Sequence, residues 1–435
     1  MWSATALVVG NIIGAGLFLL PASLAPYGGG ASLGWLWSFA GAMALAVVFA
    51  RLAARFPRAG GPYAYTRLAF GEAAGFLMAW SYWISCWCAV AAIAVALAGS
   101  LGSLVPALIA TPARSAVCAV AALWLATAIN LVGLRTAGSA QVTTVVLKLL
   151  PLIAIAAAGL PHIEPARLVT PGPSATGWWA AASATAGLTL WAFQGMESAT
   201  IPADQVTDAQ RLVPRATMLG TALAGLVTVL ACSAVLGLIA PGELATSTAP
   251  FADAAGLLWG AWGARAFAAV AAISCLGALN GWVLVQGQIP AAAARDRLFP
   301  AFLAPRDDGA PPRIAVLVSS GLATVLVVAN FSGSLVSVFT ASVLLSTAAT
   351  LLPYLMSAAA ALLLRRELAG EAARGLVAIA AGAALFSAWA LWGTGKKAII
   401  WFVGLMLAGA VLYATRWLVC LVIRQRRGAT PGRGL

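Results

Sequence analysis

Two short segments place glycines and polar residues inside otherwise apolar sequence. The first runs from Gly10 to Gly16 and reads Gly-Asn-Ile-Ile-Gly-Ala-Gly, and the second, from Trp191 to Ser198, reads Trp-Ala-Phe-Gln-Gly-Met-Glu-Ser. Glycine is a poor helix former, and its bare backbone lets a ligand approach closely. Unwound backbone would expose amide N–H groups that suit a carboxylate and carbonyl groups that suit an ammonium. The two segments therefore predict recognition of an amino-acid zwitterion.

The first segment also has a simpler interpretation. Gly10 and Gly14 form a G-x-x-x-G pattern, which packs membrane helices closely against each other. This segment alone does not separate packing from binding. The pairing of the two segments favours binding, because paired interruptions in corresponding helices of two halves indicate an inverted-repeat transporter with a midplane site.

Glu197 is the one acid well inside a predicted membrane span. Seven residues separate it from Asp204 in the next loop, which corresponds to a depth of roughly 10 Å at about 1.5 Å per residue. A charged side chain at the bilayer centre costs about 2.5–3.5 kcal/mol, so an acid there is a functional candidate. The structural alternative is a carboxylate that is permanently hydrogen-bonded between helices.

The elements that must position these residues are membrane helices. The chain of 435 residues is 62% apolar and only 9% charged, whereas soluble domains carry about 25% charged residues. This composition excludes a water-soluble enzyme. Charge-free runs and turn residues divide the chain into twelve predicted spans, which form a transport core of two halves, a pair of further helices and a tail. The predicted bounds are 1–364 for the core, with halves of roughly 1–160 and 175–364, 374–424 for the last two helices, and 425–435 for the tail.

The net charge of +13 is interpreted as a topology signal. Twelve spans put both termini on one side, and 20 of the 25 Lys and Arg residues fall on that side. Basic residues are enriched in cytoplasmic loops. We therefore expect a multi-pass protein of a bacterial inner membrane with both termini in the cytoplasm, embedded in the lipid bilayer and without a nucleic-acid partner.

The sequence offers no catalytic constellation. It contains no G-x-x-x-x-G-K-[ST] motif for ATP, and its one histidine, His162, falls in a predicted external loop. The cysteines lie in or beside apolar helices, where packing with inert thiols is their expected role: Cys86, Cys88, Cys118, Cys232, Cys275 and Cys420. We predict no enzyme activity, no metal site and no cofactor.

Several motifs in order along the chain resemble the amino acid–polyamine–organocation transporters, and among these they are most similar to the arginine/agmatine exchangers. The motifs include the two glycine segments above, Gly60-Gly61-Pro62-Tyr63-Ala64-Tyr65, Tyr82-Trp83-x-x-Cys86-Trp87, Leu298-Phe299-Pro300 and Leu352-Pro353-Tyr354. The resemblance implies an all-α polytopic membrane protein with 12 transmembrane helices. Helices 1–10 would form a five-plus-five inverted repeat of the LeuT type with helices 1 and 6 discontinuous, and helices 11–12 would lie outside it. It also implies a homodimer and exchange by alternating access.

The resemblance assigns roles to residues around a substrate amino acid. The substrate carboxylate would meet Ala15 and Gly16, and its ammonium would meet the carbonyls of Ile12 and Trp191. Trp282 would stack on a cationic side chain, a contact worth about 0.5–2 kcal/mol.

Further positions are implied for the gates and for the side-chain end of the site. Gating and proton sensing fall to Tyr63, Glu197 and Tyr354. Trp191 would close the site from outside, with Tyr82 nearby. Cys86 and Ser346 would line the side-chain end, and Phe339 would cover it. Ser85 is a further substrate-binding candidate.

Three positions depart from the arginine-type pattern. Ala15 stands where those exchangers have Ser, Val90 replaces the Asn that binds the guanidinium, and Gln194 replaces an Ile. We predict a secondary transporter that exchanges a basic, arginine-like amino acid for its decarboxylated, agmatine-like amine. Val90 motivates an alternative, a neutral amino-acid exchanger or proton-coupled symporter. A receptor that binds amino acids without transporting them is the alternative from another class.

Overall fold

The computed structural model has the predicted all-α class. It describes residues 2–14, 17–57, 60–132, 138–170, 172, 174, 177–201, 208–305, 312–329, 334–369 and 373–428. Within these ranges the chain forms α-helices and short 3-10 helices, with no β-strand.

The α-helices are numbered in chain order. The first nine are α1 (Trp2–Gly14), α2 (Leu20–Leu24), α3 (Gly30–Arg55), α4 (Pro62–Phe70), α5 (Glu72–Leu104), α6 (Pro112–Val132), α7 (Gly138–Gly159), α8 (Pro165–Val169) and α9 (Trp178–Trp191). The others are α10 (Ala209–Leu238), α11 (Pro241–Leu244), α12 (Pro250–Arg295), α13 (Arg313–Ala329), α14 (Leu335–Leu363), α15 (Arg365–Ala369), α16 (Ala373–Gly393) and α17 (Lys396–Gly428).

Much of this helical structure is long and apolar enough to cross a membrane. Among the described residues, nine segments meet that criterion: Ala4–Tyr27, Gly30–Arg55, Glu72–Leu104, Pro112–Val132, Ala209–Leu238, Pro250–Arg295, Leu335–Leu363, Arg374–Gly393 and Lys396–Thr415. Two shorter apolar helices cover Lys148–His162 and Arg313–Ala329. The chain is therefore a multi-pass membrane protein, and the count of twelve spans stays a prediction.

The helices that carry the predicted site residues form the centre of the molecule. The most apolar window of α5 is 94% buried, whereas that of α17 is 17% buried, so α5 is a core helix and α17 a peripheral one. α5 packs mainly against α12 and α14, α1 packs against α7 and α10, and α3 packs against α9 and α10.

Small and hydroxyl-bearing residues hold α9 against α3. Thr189 Oγ1 donates a 3.1 Å hydrogen bond to the Gly34 carbonyl and lies 2.7 Å from Ser38 Oγ. A Cβ added to Gly34 would lie 2.2 Å from Thr185 Oγ1, so only glycine permits this approach. Such contacts associate membrane helices, and here they fix α9 up to its last turn.

A short helix, α4, connects two distant parts of the chain. The Gly60 N–H donates a 3.0 Å hydrogen bond to the Ile201 carbonyl, just beyond the α9 region. Gly61, with φ of +53°, turns the chain into Pro62, which begins α4 without needing a backbone donor. Further along α4, the Tyr63 hydroxyl donates to Asp296 at the end of α12.

Candidate substrate site

α9 ends at Trp191, inside the segment where the sequence predicts an interruption. Residues 192–197 form turns, and a 3-10 helix follows at Ser198–Thr200. The Phe193 N–H donates to the Leu190 carbonyl at 2.8 Å, and the Gln194 N–H donates to the Trp191 carbonyl at 3.1 Å. These tighter bonds replace the regular α-helical ladder, so the backbone changes course within the protein interior.

Gly195 brings the interrupted segment into contact with α1. Its φ is +104°, a conformation that glycine adopts readily and other residues rarely adopt. A Cβ added here would lie 2.8 Å from Asn11 Cβ and 3.2 Å from the Ile12 nitrogen. Because α1 ends at Gly14, its last carbonyls, including that of Ile12, lack partners within the helix. The break of α9 and the end of α1 therefore meet.

The predicted carboxylate position follows α1 directly in the chain. Ala15 and Gly16 lie outside the described residues, between α1 and a 3-10 helix that begins at Leu17.

Glu197 lies fully buried at the end of the interrupted segment. Tyr82 of α5 donates a 2.5 Å hydrogen bond to its Oε1 atom, and Tyr354 of α14 donates a 2.5 Å hydrogen bond to its Oε2 atom. The Gly195 N–H also donates to Oε2, at 3.2 Å. Hydrogen bonds to an ionised group are about twice as strong as neutral ones. The described ion pairs do not include Glu197, so hydrogen bonds alone hold this carboxylate there.

A second group of buried polar side chains is centred on Ser346. The Ser346 hydroxyl of α14 has two acceptors within reach, the Ser85 carbonyl at 2.9 Å and Gln194 Oε1 at 3.2 Å. The Ser85 hydroxyl in turn donates to the Tyr82 carbonyl at 2.7 Å. Ser346 thus links Gln194 to the α5 backbone at Ser85, three residues after the tyrosine that is bound to Glu197.

Gln194 retains an unused donor at this point. Its side chain is only 2% exposed, and its Nε2 atom has no hydrogen-bond partner among the described residues. A buried polar group without a partner costs about 1–3 kcal/mol. A ligand group placed beside Gln194 could satisfy it.

Aromatic side chains surround the interruption. Trp191 and Phe339 are fully buried and pack edge to face, with ring centroids 5.4 Å apart. Trp282 on α12 is also buried, and its Nε1 atom has no partner in the described part of the chain. On α5, Cys86 and Val90 are fully buried at four-residue spacing after Tyr82, which puts all three on one face of the helix.

Tyr63 contacts Asp296 rather than Glu197. Its hydroxyl donates to Asp296 Oδ2 at 3.3 Å, and Arg67 pairs with the same oxygen at 3.3 Å. Arg67 also pairs with Glu72 at 3.4 Å. This half-exposed cluster joins α4, α5 and the end of α12. Sequence reasoning missed Arg67 and Asp296, because charged residues at helix ends are usually solvated anchors.

Lys148, which interrupts an apolar stretch of the sequence and is one of the 20 basic residues counted on the cytoplasmic side, is buried within a helix. It is 7% exposed on α7, and its Nζ atom donates to the Gly10 carbonyl at 3.5 Å. The described ion pairs do not include it. A basic side chain therefore lies beside the glycine segment of α1.

Comparison with known proteins identifies a matching family model and several related proteins. The family model described as "Amino acid permease" matches residues 1–391. The chain is 31% identical to the putrescine transporter PotE of Haemophilus influenzae over 417 residues, which cover 94% of this chain and 96% of that protein. It is 33% identical to the cadaverine/lysine antiporter of Escherichia coli over 339 residues, or 75% of this chain and 74% of that protein. The putrescine transporter PotE of Escherichia coli is 29% identical over 419 residues, or 94% of each chain.

Proposed function

The chain belongs to the amino acid permease family, and from that premise we propose that it exchanges a basic amino acid for its decarboxylated amine across a bacterial inner membrane. The relatives named for putrescine and for cadaverine and lysine support exchange of an amino acid and an amine. The observation that carries the proposal is Glu197, a buried carboxylate held by two tyrosines where α9 breaks against α1.

The pair of lysine and cadaverine fits this proposal better than the pair of arginine and agmatine. A guanidinium presents five N–H donors in a fixed plane, whereas an ammonium presents three. Val90, fully buried on the same face of α5 as Tyr82, offers a guanidinium no acceptor. This favours substrates that end in an ammonium, such as lysine and cadaverine, over arginine and agmatine.

Substrate recognition would use the backbone at the two interruptions. The substrate ammonium would meet the Ile12 and Trp191 carbonyls, and its carboxylate would meet the N–H groups of Ala15 and Gly16. Trp282 would stack on the cationic end of the side chain. An amine product lacks the carboxylate, so both substrates share the ammonium and side-chain contacts and can use one site.

The gates and the side-chain end of the site are part of the same proposal. Tyr63, Glu197 and Tyr354 would gate the cytoplasmic side, with Glu197 sensing protons. Trp191 would close the site from outside with Tyr82 beside it, and Phe339 would cover it. The side-chain end would be lined by Ser85, Cys86, Val90, Gln194 and Ser346.

The architecture proposed for this transporter has twelve spans. The nine long segments, together with the apolar helices at Lys148–His162 and Arg313–Ala329 and the interrupted α9, would give that number. Helices 1–10 would form two inverted halves, at roughly 1–160 and 175–364, and rock about the site. Both termini would lie in the cytoplasm, and the protein would form a homodimer.

Counterflow in proteoliposomes tests the exchange directly. Liposomes loaded with unlabelled lysine receive labelled cadaverine, putrescine, agmatine or arginine outside, and empty liposomes serve as the reference. Internal lysine should accelerate uptake of labelled cadaverine, and excess external lysine should abolish it. Equal uptake into loaded and empty liposomes would contradict exchange. No uptake of any cationic compound would contradict the basic substrate.

One observation supports a second candidate, exchange or proton symport of neutral amino acids. Ser346 and its two hydrogen-bond partners, Ser85 and Gln194, are uncharged, and the buried Val90 of α5 is apolar. Competition in the same liposomes separates the two candidates. Inhibition of uptake by neutral amino acids, with none by cadaverine or agmatine, would select the neutral substrate.

A further inference from the structure

A deep apolar groove opens on the outside of the helix bundle, away from the substrate site. It encloses a cavity of about 950 Å³ between α5, α6 and α12, beside the 3-10 helix Pro106–Leu108. Leu97 and Leu101 of α5 form its floor, and Ile273 of α12 lies at its edge. Val117 and Ile273 are 69% and 65% exposed, so in a membrane the groove opens to the hydrocarbon.

The groove carries one charge, at one end. Among the described residues that line it, Arg114 is the only charged side chain, and it lies in the first turn of α6. Its Nη1 atom donates to the Ala107 carbonyl at 3.4 Å, and it belongs to none of the described ion pairs. A guanidinium has five N–H donors, so most of them stay available to an acceptor.

The length of the groove matches one leaflet of a bilayer. The lining residues of α6 extend from Ala113 to Leu125, and the two ends lie roughly 18 Å apart at about 1.5 Å per residue. Half of a hydrocarbon core of about 30 Å is about 15 Å. The groove is thus apolar over the depth of one leaflet and basic where that leaflet meets water.

From these features we propose that the groove binds one anionic phospholipid, with an acyl chain along α6 and the phosphate on Arg114. A basic residue at the headgroup level attracts anionic lipid. A helix from a second copy would fill the apolar part but would leave the arginine at its end without an acid. An amphiphile with its charge at one end satisfies both parts of the groove.

Native mass spectrometry of the full chain tests this proposal. Detergent-solubilised protein is mixed with phosphatidylglycerol or with phosphatidylcholine of identical acyl chains, and the retained lipids are counted. The wild type should retain phosphatidylglycerol about fivefold more than phosphatidylcholine, the contribution of one basic residue near an anionic headgroup. Arg114→Gln should bring that ratio close to one. Lys397→Gln, which removes an exposed charge from the first turn of α17, should leave it unchanged.

A second variant tests whether the lipid occupies the apolar part of the groove, independently of the charge on Arg114. Ile273→Trp adds bulk at the exposed edge and should lower retention of both lipids. If this variant does not fold, Val117→Trp replaces it at the opposite edge. Unchanged retention in the bulky variant, or an unchanged lipid ratio in Arg114→Gln, would overturn the proposal. A change in oligomeric mass without a change in lipid retention would assign the groove to a second copy and would equally overturn it.

Discussion

Tyr354 Oη donates a 2.5 Å hydrogen bond to Glu197 Oε2 and so joins residues that are 157 positions apart in the chain. Tyr82 makes a bond of the same length to the other oxygen of that carboxylate. One side chain beside the α9 break is therefore tied to α5 and to α14 together. Any movement of either helix relative to the break must lengthen or re-form one of these bonds, which couples the carboxylate to the conformation of the core.

Removing either tyrosine hydroxyl should slow exchange. A hydrogen bond to a charged group contributes about 1.5–3 kcal/mol, and each 1.4 kcal/mol corresponds to about tenfold. Tyr82→Phe and Tyr354→Phe should therefore each lower the counterflow rate about tenfold or more. Because both bonds end on Glu197, the double variant should lose less than the sum of the single free-energy changes.

The control for this pair is Tyr413→Phe on α17, which keeps the ring contact with Phe76 and should behave as wild type. Counterflow rates of both single variants within twofold of wild type would show that the hydroxyls do not hold a working carboxylate.

Gly195→Ala should disrupt the contact between the α9 break and the end of α1. The added Cβ would lie 2.8 Å from Asn11 Cβ, and a non-glycine residue with φ of +104° is strained by about 1–3 kcal/mol. We expect a lower melting temperature and a loss of exchange. Thermal unfolding and counterflow measure the two effects.

Gly382→Ala on α16 is the matched control for Gly195→Ala, because a Cβ there meets nothing within 4 Å. Wild-type exchange by Gly195→Ala would mean that the close approach of α9 to α1 is dispensable.

Trp282→Leu should discriminate among substrates. A cation–π contact contributes about 0.5–2 kcal/mol, so affinity for cadaverine should fall about 2- to 30-fold. Affinity for a small neutral amino acid should hardly change. Inhibition constants from competition counterflow provide the comparison. Trp392→Leu, which replaces a tryptophan that is 77% exposed, serves as the control. Equal losses for both ligands in Trp282→Leu would remove the stacking role.

Local patterns in the sequence were enough to locate the interruption after Trp191. Gly195 and the polar residues around it are unfavourable in an apolar helix, and that signal needs no knowledge of the fold. The partners of Glu197 carry no such signal, because Tyr82 and Tyr354 lie in other helices. Only a resemblance to known transporters drew attention to them, and only the packing of α5 and α14 brings them to the carboxylate.

The spacing of charged residues predicts the long helices but not all of the residues at which they begin and end. The charge-free run 266–294 predicts a span that begins after Arg265, whereas the helix continues back through Arg265 to the non-helical Gly260, before which a further helical stretch begins at Pro250. Arg265 is exposed, so its charge does not end the helix. Lys148 shows the opposite case. Its charge interrupts an apolar stretch of the sequence and counts toward the cytoplasmic side, but the fold buries it within α7 beside the Gly10 carbonyl.

The pH profile of lysine–cadaverine counterflow tests most directly whether the carboxylate at the α9 break governs exchange. Wild type, Glu197→Gln and Glu243→Gln are compared in liposomes of one composition, and the exposed Glu243 supplies the matched control. We predict that exchange by the wild type and by Glu243→Gln varies with pH in the same way, while the profile of Glu197→Gln is flat. A Glu197→Gln profile that coincides with that of the wild type would contradict this account and would leave Glu197 a purely structural link between helices.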